Sequence, residues 1–437
     1  MATHDRLCAA VGRADITPPI GIPLVGYAGR GPSTGAHDPL TITALVLGCG
    51  DSRAAILGCD LLFVDPEFVD ATSAMIRDRC SIPAENVLFC CSHTHYGPLL
   101  ASSPFHDGGE QVRAYEENLR HVIVGLVAEA AARLAPVKIG AARGSASANI
   151  NRREKRPDGT ITIGVNPDGF VDREVIVVRI ETDAGEPLSC IVGYQCHGTS
   201  MEGRWTEISS DFPGAMRQIV ENVVGGRCLY VQGATGNMNP YPRGHDYRHA
   251  RRVGIKLAGE AMKLWETAVP TEAFGLKTAM EKIALPGFRF ESRERATEVR
   301  DGVRSGLEKC RRDGAEMTTI KWLEDRLQRA GDAVASWEKG EAMPTVGNRI
   351  HAVRFGPVAL VSTAGELFAQ IGVEVKKRSP IADTLFAGYT NGNIGYVPIP
   401  EAYQEGGYEV EHACRVGPEA AGMIIEACLK ALSGVVR

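Results

Sequence analysis

A chain of 437 residues is long enough for one large domain or two ordinary ones, with room for a buried core. An apolar share of 44%, a charged share of 23% and a net charge of −5 are those of an ordinary globular protein. With no long basic run, nothing favours nucleic acid or an anionic membrane surface as a partner. The most apolar run, 54–64, is strand-sized and broken by Asp60, so neither a signal peptide nor a transmembrane segment is expected, and a cytoplasmic location is. None of the twelve cysteines forms a CxxC pair, and Cys49, Cys59, Cys90, Cys190 and Cys228 lie in or beside strand-like runs. They read as small buried hydrophobes in a reducing compartment, not as a disulfide framework.

Strand and helix patterns alternate, which predicts an α/β fold: a large mixed β-sheet core flanked by helices. Strands are expected at 42–47, 54–59 and 87–91. A helix comes next, with Val112, Tyr115, Leu119, Val122, Leu126 and Ala130 on its apolar face. Further strands fall at 174–180, 188–196 and 228–232, and Asp211-Phe-Pro-Gly opens a helix with Asp211 as its cap. Segment 291–340 is dominated by charged residues, with sparse apolar positions at Val303, Leu307, Ile320, Leu323 and Leu327. It reads as a charged helical-hairpin insertion, turning near Asp313-Gly314 and solvated, within a single domain spanning 1–437. The same hairpin is a candidate contact surface for a homo-oligomer. Strands at 350–355, 358–362 and 384–389 and a helix at 418–432 complete the pattern.

Four segments place polar chemistry at the ends of apolar runs. Ser92-His93-Thr94-His95 directly follows the 87–91 strand, and in an extended chain alternate side chains point the same way, so His93 and His95 can face one pocket. Neutral imidazole is a common zinc ligand and a second one nearby can shuttle protons; two polar residues opening a loop are the plainer reading. The run 191–196 ends in His197 in the same way. A histidine there can be a satisfied core group, but two such endings on separate strands point to a shared site. The run 358–362 passes through a tight turn to Glu366, expected at a helix start where the dipole favours a carboxylate, most commonly as a cap. The stretch 391–409 carries Tyr396, Tyr403 and Tyr408 among glycines and prolines, as a substrate wall or an ordered surface loop.

Together and in this order, these segments resemble the neutral/alkaline ceramidase family of zinc amidohydrolases. Val11-Gly-Arg-Ala-Asp-Ile-Thr-Pro and Gly35-Ala-His-Asp-Pro-Leu are similar to that family too, so the resemblance covers nearly the whole chain except the charged insertion. It implies one Zn²⁺ per chain held by His93, His197, Glu366 and Tyr396. It also implies His95 as the catalytic histidine beside the metal, with Arg152 (in Asn149-Ile-Asn-Arg) and Tyr408 near the substrate carbonyl. Two imidazoles, a carboxylate and a phenol suit Zn²⁺, although a phenolate ligand requires the metal to depress a pKa that is ordinarily about 10. The implied activity is hydrolysis of an amide (N-acyl) bond by a metal-activated water. His95 would move the proton, and Arg152 and Tyr408 would stabilise the oxyanion.

The chain departs from the family pattern in places. Tyr96-Gly97-Pro98-Leu99-Leu100 stands where the family has Ser-Gly-Pro-Gly-Gly and is expected to reshape the pocket wall. Gly233-Ala-Thr-Gly-Asn-Met-Asn-Pro lacks the family's aspartate, and no immunoglobulin-like carboxy-terminal domain is expected after the last helix. These departures favour a small soluble amide over ceramide as substrate. The alternatives are a true ceramidase, a zinc esterase or lactonase, a metal-free hydrolase using Ser200 or a cysteine, and a non-catalytic binding protein. No GxSxG elbow surrounds Ser200. Asp60, His37 and Asp211 are expected in turns or caps, not behind a metal.

Overall fold

In the computed structural model, which describes residues 5–103 and 109–436, the strand Thr41–Cys49 shows how the core is layered. Ile42, Ala44 and Val46 join one apolar cluster while Leu45 and Leu47 join another, the alternation of a strand covered on both faces. Fully buried, each larger side chain contributes roughly 1.5–3 kcal/mol relative to exposure. The strand belongs to a nine-stranded sheet. From one edge the order is Arg227–Gln232, Pro187–Tyr194, Glu174–Thr182, Ala135–Ser145, Cys8–Asp15, Thr41–Cys49, Ser52–Cys59 and Val87–Cys91, with Thr271–Glu272 paired to Ala135–Ser145. Neighbours are antiparallel except at the two ends of that order, so the sheet is mixed as expected.

A second sheet of Leu276–Leu285, Val346–Phe355, Val358–Thr363 and Asp383–Ala387 packs on the first, bringing Val353, Phe355, Leu360 and Leu385 against Leu45, Ile56, Val178 and Ile191. Helices close both outer faces: Pro66–Cys80, Glu110–Ala131, Asp211–Val224 and Tyr247–Thr267 on the large sheet, and Ala369–Arg378 and Ala420–Gly434 on the small one. Strands buried on both faces read as continuous apolar runs, so the sequence pattern could not assign them to two stacked sheets instead of one. The expected stripe on Glu110–Ala131 is buried, except that Ile123 takes the place of the partly buried Val122.

Three parallel strand pairs position the crevice: Ser52–Cys59 with Val87–Cys91, Pro187–Tyr194 with Arg227–Gln232, and Val358–Thr363 with Asp383–Ala387. Their carboxyl ends meet. Cys91 N–H donates to Tyr389 O, Gly388 N–H to Gln232 O, and the Gln232 amide to both Ser92 O and Cys196 O. The loops leaving these ends share one crevice, where α/β sheets characteristically bind ligands.

The charged segment forms two helices, Arg293–Arg312 and Met317–Lys339, with Val303, Leu307 and Leu323 packed between them. It is not the solvated appendage expected. Arg329 donates to Cys414 O (3.1 Å) and His412 O (3.2 Å), Arg415 pairs with Asp325 (3.2 Å), and Gly29 N–H donates to Thr319 Oγ1 (2.7 Å). Sequence shows only that its charges are numerous; tertiary packing gives several of them partners on the core. All twelve cysteines are free and eight are buried. Among the described residues no helix is long and apolar enough to cross a membrane.

Candidate metal centre

His93 comes just after Val87–Cys91, but not as an extended residue. Its φ of 59° is left-handed, a conformation that non-glycine residues adopt mainly where surrounding structure holds them. His93 N–H donates to Leu61 O (3.0 Å) and Nδ1 lies 2.8 Å from Leu62 O. Thus His93 and His95 do share a cavity, through a kinked backbone and not through the strand alternation expected. His95 N–H donates to Gly198 O (3.0 Å), and its Nδ1 lies 2.9 Å from Gly26 O. His197 Nδ1 lies 2.8 Å from Thr235 O. Glycine at 198 is required here, since a Cβ would lie 2.3 Å from His93 O. In each ring Nδ1 faces a backbone carbonyl, which leaves Nε2 turned to the cavity as the atom free to bind an ion.

Those nitrogens converge. His93 Nε2 is 3.3 Å from His95 Nε2, the ligand atoms of His93, His95 and His197 lie within 4.8 Å of one another, and Glu366 Oε2 sits 3.3 Å from His93 Nε2 and 3.2 Å from His197 Nε2. Glu366 is not at a helix start: it occupies a two-residue strand, Glu366–Leu367, paired with Tyr396–Val397, and the helix begins at Ala369. Burial lifts its carboxyl, but contact with His93 and His197 outweighs that and holds it well below the usual carboxylate range. Burial and Arg152 hold His197 down to about 3, and burial with the neighbouring rings of His93 and His197 holds His95 well below its ordinary value. Among the described residues, Glu366 Oε2 is buried without a hydrogen-bond donor. Imidazole nitrogens converging on a buried carboxylate oxygen are a ligand set that fits a divalent ion.

Tyr396 OH lies 3.5 Å from His197 Nε2 and accepts from Arg152 Nη2 (2.9 Å). Arg152 Nη1 is 3.2 Å from His197 Nε2, and its Nε donates to Glu409 Oε1 (2.8 Å), whose second oxygen accepts from Arg153 (2.8 Å). Burial opposes the Arg152 charge, but Tyr396 and Glu409 outweigh it and keep the guanidinium protonated. The Tyr408 ring is 5.8 Å from that of Tyr396, and burial pushes its phenol up to about 12. The cavity, about 370 Å³, is lined by His93, His95, Arg152, Glu366, Tyr396 and Tyr408, and on its outer side by Leu24, Phe63 and, from the helical hairpin, Trp322 and Asp325. All seven residues singled out in the sequence therefore stand at one place.

Other participants carry little or no sequence signal. The carbonyls of Leu62, Gly26 and Thr235 that orient the rings are backbone atoms and leave no trace in residue type. Tyr389, also left-handed, packs its ring 4.0 Å from that of His93. Glu409 could have been suspected from its place beside Tyr408. Asp60 pairs with Arg217, His37 with Asp38, and Asp211 accepts from Ser200 N–H and Phe212 N–H. None of the three touches the cluster, and the cap before the 211–224 helix is Ser210. Ser200 is fully buried outside the cavity lining, and burial raises the thiol of neighbouring Cys196, so neither has the character of a nucleophile.

No family model matches the sequence. A neutral ceramidase of Mycobacterium tuberculosis is 27% identical over 466 aligned positions, covering 88% of this chain and 70% of that protein. Neutral ceramidase A of Dictyostelium discoideum is 26% identical over 281 positions, 57% of this chain and 38% of that one. The crystal structure of neutral ceramidase from Pseudomonas aeruginosa matches 98% of this chain and 74% of its own with a TM-score of 0.74 at 19% identity. A ceramidase complexed with C2 matches with a TM-score of 0.73 at 18% identity, over 98% of this chain and 75% of that one. The chain is similar in sequence to neutral ceramidases and shares the fold of their solved structures. Its departure from the family pattern at 96–100 does not reshape the pocket wall as expected. Tyr96, Leu99 and Leu100 are buried, with Tyr96 OH bonded to Met201 O, so they fill the core behind the site and do not form its wall.

Proposed function

We propose that this chain is a zinc-dependent hydrolase that cleaves an amide (N-acyl) bond in a small soluble substrate. One observation carries the reading: the Nε2 atoms of His93 and His197 converge on a buried Glu366 oxygen that has no donor. The relatives' designation as ceramidases supports an N-acyl bond as the target. His93, His197, Glu366 and Tyr396 would hold the ion. Zinc bound there would supply Lewis acidity, polarising a carbonyl and acidifying water.

The remaining steps belong to the protein's own groups. His95 is neutral near pH 7, because burial and the adjacent rings keep its pKa low, so Nε2 can take a proton from the attacking water. It then returns that proton to the departing nitrogen, a poor leaving group until protonated. Arg152, fixed by Glu409 and still charged, and Tyr408, still protonated, present donors to the oxygen that gains charge in the tetrahedral state. Leu24, Phe63 and Trp322 would receive the apolar acyl group.

Metal analysis of the purified protein, paired with turnover of N-acyl substrates, tests the reading. The expected result is about one zinc per chain, loss of hydrolysis on chelation and recovery when Zn²⁺ is returned. Hydrolysis that survives chelation, or protein without stoichiometric divalent metal even after loading, sinks it.

A further inference from the structure

The cavity holds positive charge that the reaction does not use. Arg243 lines it beside Thr199 and Asn239. Its Nε donates to Thr199 O (2.9 Å), while its terminal nitrogens have no acceptor and no carboxylate pairs with it among the described residues. Asn239 is buried and accepts at Oδ1 from Thr199 Oγ1 (3.3 Å), which leaves its NH₂ group without an acceptor among the described residues. Thr199 thus anchors both side chains and leaves both with donors to spare. Behind the cavity lining, Arg30 adds to the excess: its N–H groups go to the carbonyls of Val25, His95 and Trp205, with no carboxylate partner among the described residues. Arg30 lies against Tyr27, whose ring packs 5.0 Å from that of His95. Elsewhere in the cavity cations are matched, Arg152 by Glu409 and Arg329 and Arg415 by Asp325.

A guanidinium with free terminal nitrogens and an amide NH₂ beside it form a donor fork shaped for a planar carboxylate. We infer that Arg243 and Asn239 bind a carboxylate carried by the substrate next to the scissile amide, as in an N-acyl amino acid. This rests on the amide-hydrolase reading above. Arg243 is tied to Thr199, next to Gly198, whose carbonyl accepts from His95 N–H, so it reaches the cavity on the side where the leaving nitrogen takes up its proton, and the carboxylate belongs to the amine half. An N-acyl amino acid puts that charge one carbon from the nitrogen. An amide of an amino alcohol offers only hydroxyls there and leaves the Arg243 charge unpaired.

N-octanoylglycine and N-octanoylethanolamine differ only in carboxylate against hydroxymethyl and make the test. In the zinc-loaded protein kcat/KM for the glycine conjugate is expected to be higher by about 10-fold or more, mainly through KM. Arg243→Ala should shrink that ratio by about 10-fold or more, and Arg243→Lys, which keeps the charge but not the fork, should retain part of it. Calorimetric binding of N-octanoylglycine gives a readout independent of turnover, with affinity expected to fall by about 10-fold or more in Arg243→Ala. Equal kcat/KM values for the two amides in the unmodified protein, or a ratio and affinity indifferent to Arg243→Ala, overturn the carboxylate site. Arg243-dependent binding with no cleavage of either amide upholds the site and overturns the hydrolase reading instead.

Discussion

The two walls of the cavity are built on different principles. On one side, His93 and His197 leave the carboxyl ends of strands and are fixed by backbone carbonyls, a left-handed His93 and the tilted ring of Tyr389, and Glu366 is held by its short strand pairing. On the other, Trp322, Asp325 and Arg329 come from a helical hairpin that reaches the core mainly through side-chain hydrogen bonds and ion pairs. The first wall is dry and held by groups with little freedom to move. The second is partly solvated, and its ion pairs individually contribute little. On the proposed reading, the chemistry falls to the strand ends and substrate fit to the hairpin.

Substitutions on the two walls should therefore differ in kind. His95→Ala is expected to lower kcat by about 10²-fold with bound zinc unchanged. Metal analysis beside steady-state kinetics would show it, and a matching loss of zinc would make His95 a ligand and not a proton carrier. Trp322→Ala should act mainly on KM, raising it roughly 10-fold as one aromatic contact is lost. A kcat collapse like that of His95→Ala would erase the division between the walls. The smallest effect concerns the dryness of the strand-end region. Burial lifts the Asp211 carboxyl to about 6, from 3.8 when unfolded. A carboxyl raised on folding contributes stability that is complete below the unfolded value and is lost as pH rises through the folded one. Thermal melts should then show the Tm of the unmodified protein falling relative to Asp211→Asn between about pH 4 and 7, by on the order of 2 °C. A constant difference would mean that water reaches this carboxyl.

Much of the strand-end wall was legible in the residues. Apolar runs that stop at His93 and His197 announced strand ends, and the resemblance to the ceramidase pattern brought Glu366, Tyr396, Arg152 and Tyr408 into the same hypothesis. The reasons attached to them fared less well. Extended alternation was to align His93 with His95, and a helix dipole was to favour the Glu366 carboxylate. Instead a left-handed residue and a short parallel strand pairing place these groups, and both depend on long-range contacts. The hairpin's two helices were legible, but its place in the cavity wall was not, because a charge run looks the same whether water or a carbonyl of residue 412 or 414 receives its hydrogen bonds.

Since side-chain periodicity is a local property, sequence alone marked many of the strands and helices, though not Cys8–Asp15, Ala135–Ser145, Leu276–Leu285 or the helix Tyr247–Thr267, and it named the imidazoles, carboxylate and phenols that could meet. Tertiary structure decided that the strands form two stacked sheets, that each histidine turns its Nε2 inward, and that Arg243 faces the cavity with no carboxylate partner among the described residues. Those outcomes depend on which backbone carbonyls and acidic groups lie across space, and residues distant in the chain supply them.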